Sequence, residues 1–177
     1  VNSGQAVLPR WQATIGGGFL ADEKYGHDGL SSRKDKRSPM QIIQTSAAPA
    51  PIGPYNQAII HNGLLYMSGQ IALDPVSGEL VQDSLAAETH QVMQNLKAVM
   101  DAAGTHFNKA IKTTIFLSDM SLFAEVNAIY GTYFDGHFPA RETVAVKGLP
   151  KGVHVEISML VAFKSRSTHS IFHNLPI

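Results

Sequence analysis

Between Val153 and Phe163 the chain alternates with a strict period of two. Val153, Val155, Ile157, Met159, Val161 and Phe163 are interleaved with His154, Glu156, Ser158, Leu160 and Ala162. That period belongs to a strand with one apolar face, and a helix of this composition would scatter the apolar set around its axis. Glu156 therefore points away from the row formed by Val155 and Ile157. Just upstream, Phe138-Pro-Ala-Arg141 leads into a second β-rich run, and Leu149-Pro-Lys-Gly152 reads as the turn between the two. The expectation is a hairpin that brings Arg141 towards Glu156. Such a pair either neutralises itself as an ion pair or acts together on a ligand.

The rest of the chain is read against that strand. From Gln41 the sequence becomes organised, and Ala47-Ala-Pro-Ala-Pro-Ile-Gly-Pro54 forms a rigid loop whose prolines impose extended or turn geometry. Ala58-Ile-Ile60 and Leu64-Leu-Tyr-Met67 flank Asn62-Gly63, the strongest short hairpin signal. At Ser68-Gly69-Gln70 a glycine at a strand end predicts a bend, a bulge or a ligand close to the backbone. Glu79-Leu-Val81 reads as a short strand. A helix capped by Asp83 or Ser84 then runs through Leu85, Val92, Leu96, Val99 and Ala103 and ends at Gly104. Ala110–Leu117 is a further strand. Asp119 or Ser121 caps a second helix carrying Val126, Ile129, Tyr130 and Tyr133, with Asn127 off its apolar stripe.

The order of elements predicts an α+β fold, a mixed sheet with two helices on one face. The other sheet face still carries apolar residues and calls for further copies of the chain to cover it. At 177 residues with 44% hydrophobic positions the chain suits one domain, expected over 40–163. Residues 1–39, with Gly16-Gly-Gly18 and Arg33-Lys-Asp-Lys-Arg37, read as a flexible N-terminal extension, and 164–177 as a C-terminal tail. His169 and His173 in that tail have helical metal spacing but no third ligand, so no metal site is expected.

Fourteen basic residues balance fourteen acidic ones, leaving no global field to gather nucleic acid or an anionic membrane. No apolar run approaches the roughly 20 residues of a membrane helix. The absence of cysteine excludes disulfides and thiolate chemistry and fits a cytoplasmic protein, with organellar targeting by the extension left open. Walker, Rossmann and nucleophile-elbow motifs are missing. What remains is Arg141, whose planar fork matches a carboxylate, with Glu156, Tyr55 and the Ser68-Gly69 element. This set suits a small carboxylic acid.

Taken together, Ala48-Pro-Ala-Pro-Ile-Gly-Pro-Tyr55-Asn-Gln57, Tyr66-Met-Ser-Gly-Gln70, Asn127, Phe138-Pro-Ala-Arg141 and Leu149-Pro-Lys-Gly-x-x-x-Glu156 closely resemble the RidA (YjgF-like) reactive intermediate deaminases. The resemblance implies a chorismate-mutase-like fold and a homotrimer whose sheets form a central barrel, with active sites between subunits. It further implies cofactor-free hydrolysis of 2-imino acids, such as 2-iminobutanoate and 2-iminopropanoate, to 2-keto acids and ammonia. Arg141 would then bind the substrate carboxylate and Glu156 would position water, with Tyr55, Ser68, Gly69, Asn127 and Thr143 bordering the substrate. Many bacterial relatives carry a cysteine where Thr143 stands, so thiol chemistry cannot apply here. Competing readings are a non-catalytic trimer that binds keto acids for regulation, which retention of Arg141 and Glu156 argues against, and an RNA-acting translational inhibitor, which the neutral charge balance does not support.

Overall fold

Alternation along the last strand sets the layout of the sheet. A computed structural model describes residues 39–163; the remainder of the expected N-terminal extension and the tail with His169 and His173 lie outside the described residues. Six strands, β1 (Gln41–Ile43), β2 (Ala58–His61), β3 (Leu64–Met67), β4 (Ala110–Leu117), β5 (Ala140–Ala145) and β6 (Val155–Ala162), form one sheet in the order β1-β2-β3-β6-β4-β5. Every residue of β6 from Val155 to Val161 at odd number is buried and every even one is half-exposed, as the sequence period requires.

Asn62 and Gly63 both take positive φ, 50° and 76°, and close the β2–β3 hairpin with His61 opposite Leu64. This is the twist-compatible turn that Asn-Gly favours. Two helices, α1 (Leu85–Ala103) and α2 (Phe123–Gly131), supply the crossovers, from β3 to β4 and from β4 to β5. Ser84 caps α1 by accepting the Ala87 N–H at 3.1 Å, and Gly104 ends it in the left-handed region at φ 74°. Val92, Met93, Leu96, Val99 and Met100 of α1 pack on Leu65, Ile115, Ile157 and Val161 of the sheet in one core. Burying each such side chain contributes about 1.5–3 kcal/mol before entropy is subtracted.

Three expectations are corrected. β5 and β6 do not form a hairpin: β5 pairs with β4 in parallel, β6 pairs with β4 antiparallel, and β4 lies between them. The α2 crossover carries the chain from β4 to a parallel neighbour, which a tight turn cannot do. The short strand at Glu79–Val81 reduces to a single bridge between Leu73 and Leu80. Asp119 caps a 3₁₀ turn, Met120–Leu122, by accepting the Ser121 N–H at 2.7 Å, so α2 begins at Phe123 and Tyr133 falls beyond its end.

No described element covers the second face of the sheet. A transverse row of paired residues, Ile42, Ile59, Tyr66 and Leu160, crosses four strands there, with Phe116 and Val144 in a neighbouring row. Ile42, Tyr66 and Val144 are exposed.

Candidate active site

Glu156 leaves β6 on the uncovered face and is half-buried. Its side chain lies flat against Gly69, so closely that a Cβ at that glycine would stand 2.9 Å from Cδ and 3.0 Å from Cγ and would collide with Oε1. The glycine that the sequence left open between bend, bulge and ligand contact thus makes room for a carboxylate of the chain itself. Gln70 then returns to the sheet, exchanging two backbone hydrogen bonds with Ile157 at 2.9 and 3.1 Å. Burial raises the proton affinity of Glu156 above the ordinary carboxylate range. Among the described residues it has no ion-pair partner.

The proline-rich loop forms one wall beside it. Gln57 is buried and holds this loop from beneath, accepting the Thr45 N–H at 2.7 Å and donating to the carbonyls of Thr45, Ala48 and Pro49 at 3.0, 3.2 and 2.8 Å. Tyr55 packs across the loop, its hydroxyl accepting the Ile52 N–H at 3.3 Å. Ser68 donates its hydroxyl to the Asn56 carbonyl at 2.7 Å, which leaves the oxygen free to accept. Tyr55, Ser68, Gly69 and Glu156 line a cavity of about 320 Å³ whose apolar wall is Ile52, Ile71, Leu73 and Pro150.

Two polar residues that the sequence reading passed over hold the backbone behind this cavity. Glu88 on α1 is fully buried; Oε1 accepts the N–H groups of His154 at 2.6 Å and Val155 at 3.2 Å, and Oε2 meets His154 Nδ1 at 2.8 Å. β3 pairs with β6 only along Leu64–Tyr66, so the far end of β6 lacks a strand on that side, and a helix carboxylate supplies the missing acceptors. Asn95 likewise donates to the carbonyls of Ile71 at 3.0 Å and Leu73 at 2.9 Å. The signal was present: Glu88 and Asn95 fall on the same helical stripe as Leu85, Val92 and Val99, where a polar residue must find a buried partner.

Arg141 stands elsewhere. It pairs with Thr113, whose side chain meets α2, whereas Glu156 pairs with Phe116 on the uncovered face. The two charges therefore project from opposite faces with β4 between them. This corrects the expectation of a shared hairpin, and it also removes the possibility that they neutralise each other within one chain. The Arg141 guanidinium lies 5.0 Å from the ring centroid of Tyr130 and 5.7 Å from that of Phe123. Tyr130, whose phenol is pushed up by burial and stays protonated, donates to Thr113 Oγ1 at 3.1 Å. Asn127, Tyr130, Phe138, Pro139 and Arg141 line a second cavity, of about 400 Å³. Thr143 lies two residues beyond Arg141 on the same side of β5; its buried hydroxyl has no partner among the described residues and borders neither cavity within one chain.

Each chain thus carries two separate polar cavities, one with Tyr55, Ser68, Gly69 and Glu156 and one with Asn127 and Arg141. Residues 45–163 match the family model described as endoribonuclease L-PSP. The chain belongs to this family, RidA/YjgF. Among its RidA/YjgF relatives, a RutC family protein of Synechocystis is 53% identical over 120 residues, spanning 67% of this chain and 92% of the relative. The 2-iminobutanoate/2-iminopropanoate deaminase of Mus musculus is 47% identical over 120 residues, spanning 68% of this chain and 89% of its own. The crystal structure of the E. coli YjgF gene product superposes with a TM-score of 0.65 at 41% identity, covering 69% of this chain and 98% of that one.

Proposed function

We propose that the protein hydrolyses 2-imino acids, or their enamine tautomers, to 2-keto acids and ammonia at sites assembled between neighbouring copies of a homotrimer. One observation carries this reading. A guanidinium and a carboxylate of raised proton affinity, neither with an ion-pair partner among the described residues, open into two cavities on opposite sheet faces, so a second copy is needed to bring them together. The deaminase named among the relatives supports the reaction, and the uncovered apolar rows support an assembly in which three sheets face inward as a barrel.

In the proposed reaction Arg141 of one copy takes the substrate carboxylate through two parallel N–H···O bonds, with Asn127 beside it and Thr143 behind, and so fixes the imine carbon in place. Glu156 of the next copy accepts a proton from water as the oxygen bonds to that carbon. The nitrogen of the tetrahedral adduct receives that proton, Glu156 then takes the proton of the new hydroxyl and passes it to nitrogen as well, and the C–N bond breaks so that ammonia leaves as the carbonyl forms. One water is consumed, and no oxidant or cofactor is required. A base with proton affinity raised towards neutrality is suited to this round trip. Ser68 and Gly69 flank the water, Tyr55 borders the substrate, and the wall of Ile52, Ile71 and Leu73 suits a short aliphatic side chain.

The test is complementation. A dehydratase acting on threonine generates 2-iminobutanoate, and semicarbazide traps what is not hydrolysed. The wild type should suppress trapping, whereas Arg141→Ala and Glu156→Gln should each fail to. Co-expressed in equal amounts, the two variants should recover about a quarter of the sites, since random mixing places an intact arginine beside an intact glutamate with that frequency. Wild-type activity in either single variant, or no recovery on mixing, refutes the shared site.

A further inference from the structure

We infer that Phe123 and Tyr130 are positioning residues that hold the Arg141 guanidinium by their ring faces, keeping all its N–H donors available for a ligand carboxylate. The inference rests on the carboxylate-binding reading of Arg141 given above. An exposed arginine samples many rotamers, and fixing it by an ion pair would occupy the same donors that must grip the substrate. Aromatic faces attract the cation through their quadrupole and take no hydrogen bond from it. Arg141 has this arrangement, with Tyr130 at 5.0 Å and Phe123 at 5.7 Å, and no acidic partner among the described residues.

The support is itself immobilised. Tyr130 is buried, its hydroxyl is bonded to the fully buried Thr113, and its ring stands 4.7 Å from that of Phe134. Thr113 sits opposite Arg141 in the β4–β5 register, so one strand pair carries both the arginine and the anchor of the ring beneath it. Phe123 is only partly buried and packs at the margin of the core, where the Arg141 guanidinium lies over its ring. Because the carboxylate is present in the substrate and in the tetrahedral adduct alike, loosening the arginine weakens both states equally. The signature is a raised KM with kcat nearly unchanged.

Binding of 2-oxobutanoate, followed by calorimetry on the full-length protein, gives the test alongside steady-state kinetics. Phe123→Leu should weaken binding and raise KM by about two- to fivefold, the range expected for an exposed cation–π contact, while Phe123→Tyr should restore wild-type values. Tyr130→Phe, which keeps the ring and loses only the Thr113 bond, should fall between them. Wild-type affinity in Phe123→Leu, with Arg141→Ala no longer binding, overturns the positioning role and leaves the carboxylate grip standing. Equal binding by wild type and Arg141→Ala overturns the grip itself and the inference with it. A loss of thermal stability in Phe123→Leu matched by a fall in kcat, with KM unmoved, assigns the ring to packing and also overturns it.

Discussion

Replacing Gly69 by alanine separates the position of Glu156 from the stability of the fold. Gly69 has no positive φ, so its backbone accepts a Cβ without strain. The added methyl would stand 2.9 Å from Cδ and 3.0 Å from Cγ of Glu156, so the carboxylate must rotate away. Reduced freedom of the unfolded chain favours the variant by about 0.4–1 kcal/mol, and forcing Glu156 off its preferred rotamer opposes it by about 0.5–1.5 kcal/mol. The two nearly cancel, and the melting temperature should move little. Under the proposed mechanism the catalytic cost is larger: displacing a reacting group by about 1 Å reduces rate on the order of a hundredfold, or about 2.7 kcal/mol of transition-state stabilisation. Semicarbazide trapping with the coupled dehydratase measures kcat/KM, and thermal unfolding measures the fold. Gly148→Ala, at a glycine with open space around it, serves as the control. Gly69→Ala with unaltered kcat/KM would refute the claim that Glu156 must lie where the glycine lets it lie.

Two further outcomes follow from buried acids. Burial raises the proton affinity of Glu156 in the folded state, so the native protein binds this proton more tightly than the unfolded chain does, and stability falls as pH rises from the ordinary glutamate range through the raised value. Glu156→Gln removes that loss: its melting temperature should exceed the wild type's at pH 7 and converge with it near pH 4, and a constant offset across the range would contradict the assignment. Glu88→Ala strips the acceptors from the His154 and Val155 N–H groups, at about 1–3 kcal/mol for each buried donor left unpaired. Urea denaturation should report a loss of about 2–6 kcal/mol.

What the sequence disclosed was local. The period of two from Val153 onwards, the Asn62-Gly63 turn, the bounds of β4 and the Gly104 end of α1 appear in the structure as read, and of the two caps offered for α1 the structure takes Ser84, because each is decided by the pleat, by positive φ or by unpaired helix-end groups within a few residues. Sheet order was not legible. Strands next to each other in the chain usually pair, and β5 and β6 break that habit because α2 returns the chain parallel to β4. The same misreading placed Arg141 beside Glu156. Within one chain Tyr55, Ser68 and Gly69 lie around the carboxylate and Asn127 beside the guanidinium, a division the sequence reading did not draw. Glu88 and Asn95 escaped because a helical stripe was read as simply apolar, although an acid and an amide sat on it.

The width of β4 between Arg141 and Glu156 has a kinetic meaning under the proposed reading. A solitary chain is chemically silent, for it holds a grip with no base facing it and a base with nothing gripped. Turnover would therefore depend on abundance more steeply than in proportion to it: below the dissociation constant of the assembly, halving the protein would remove more than half of the activity. Dilution would act as an inhibitor.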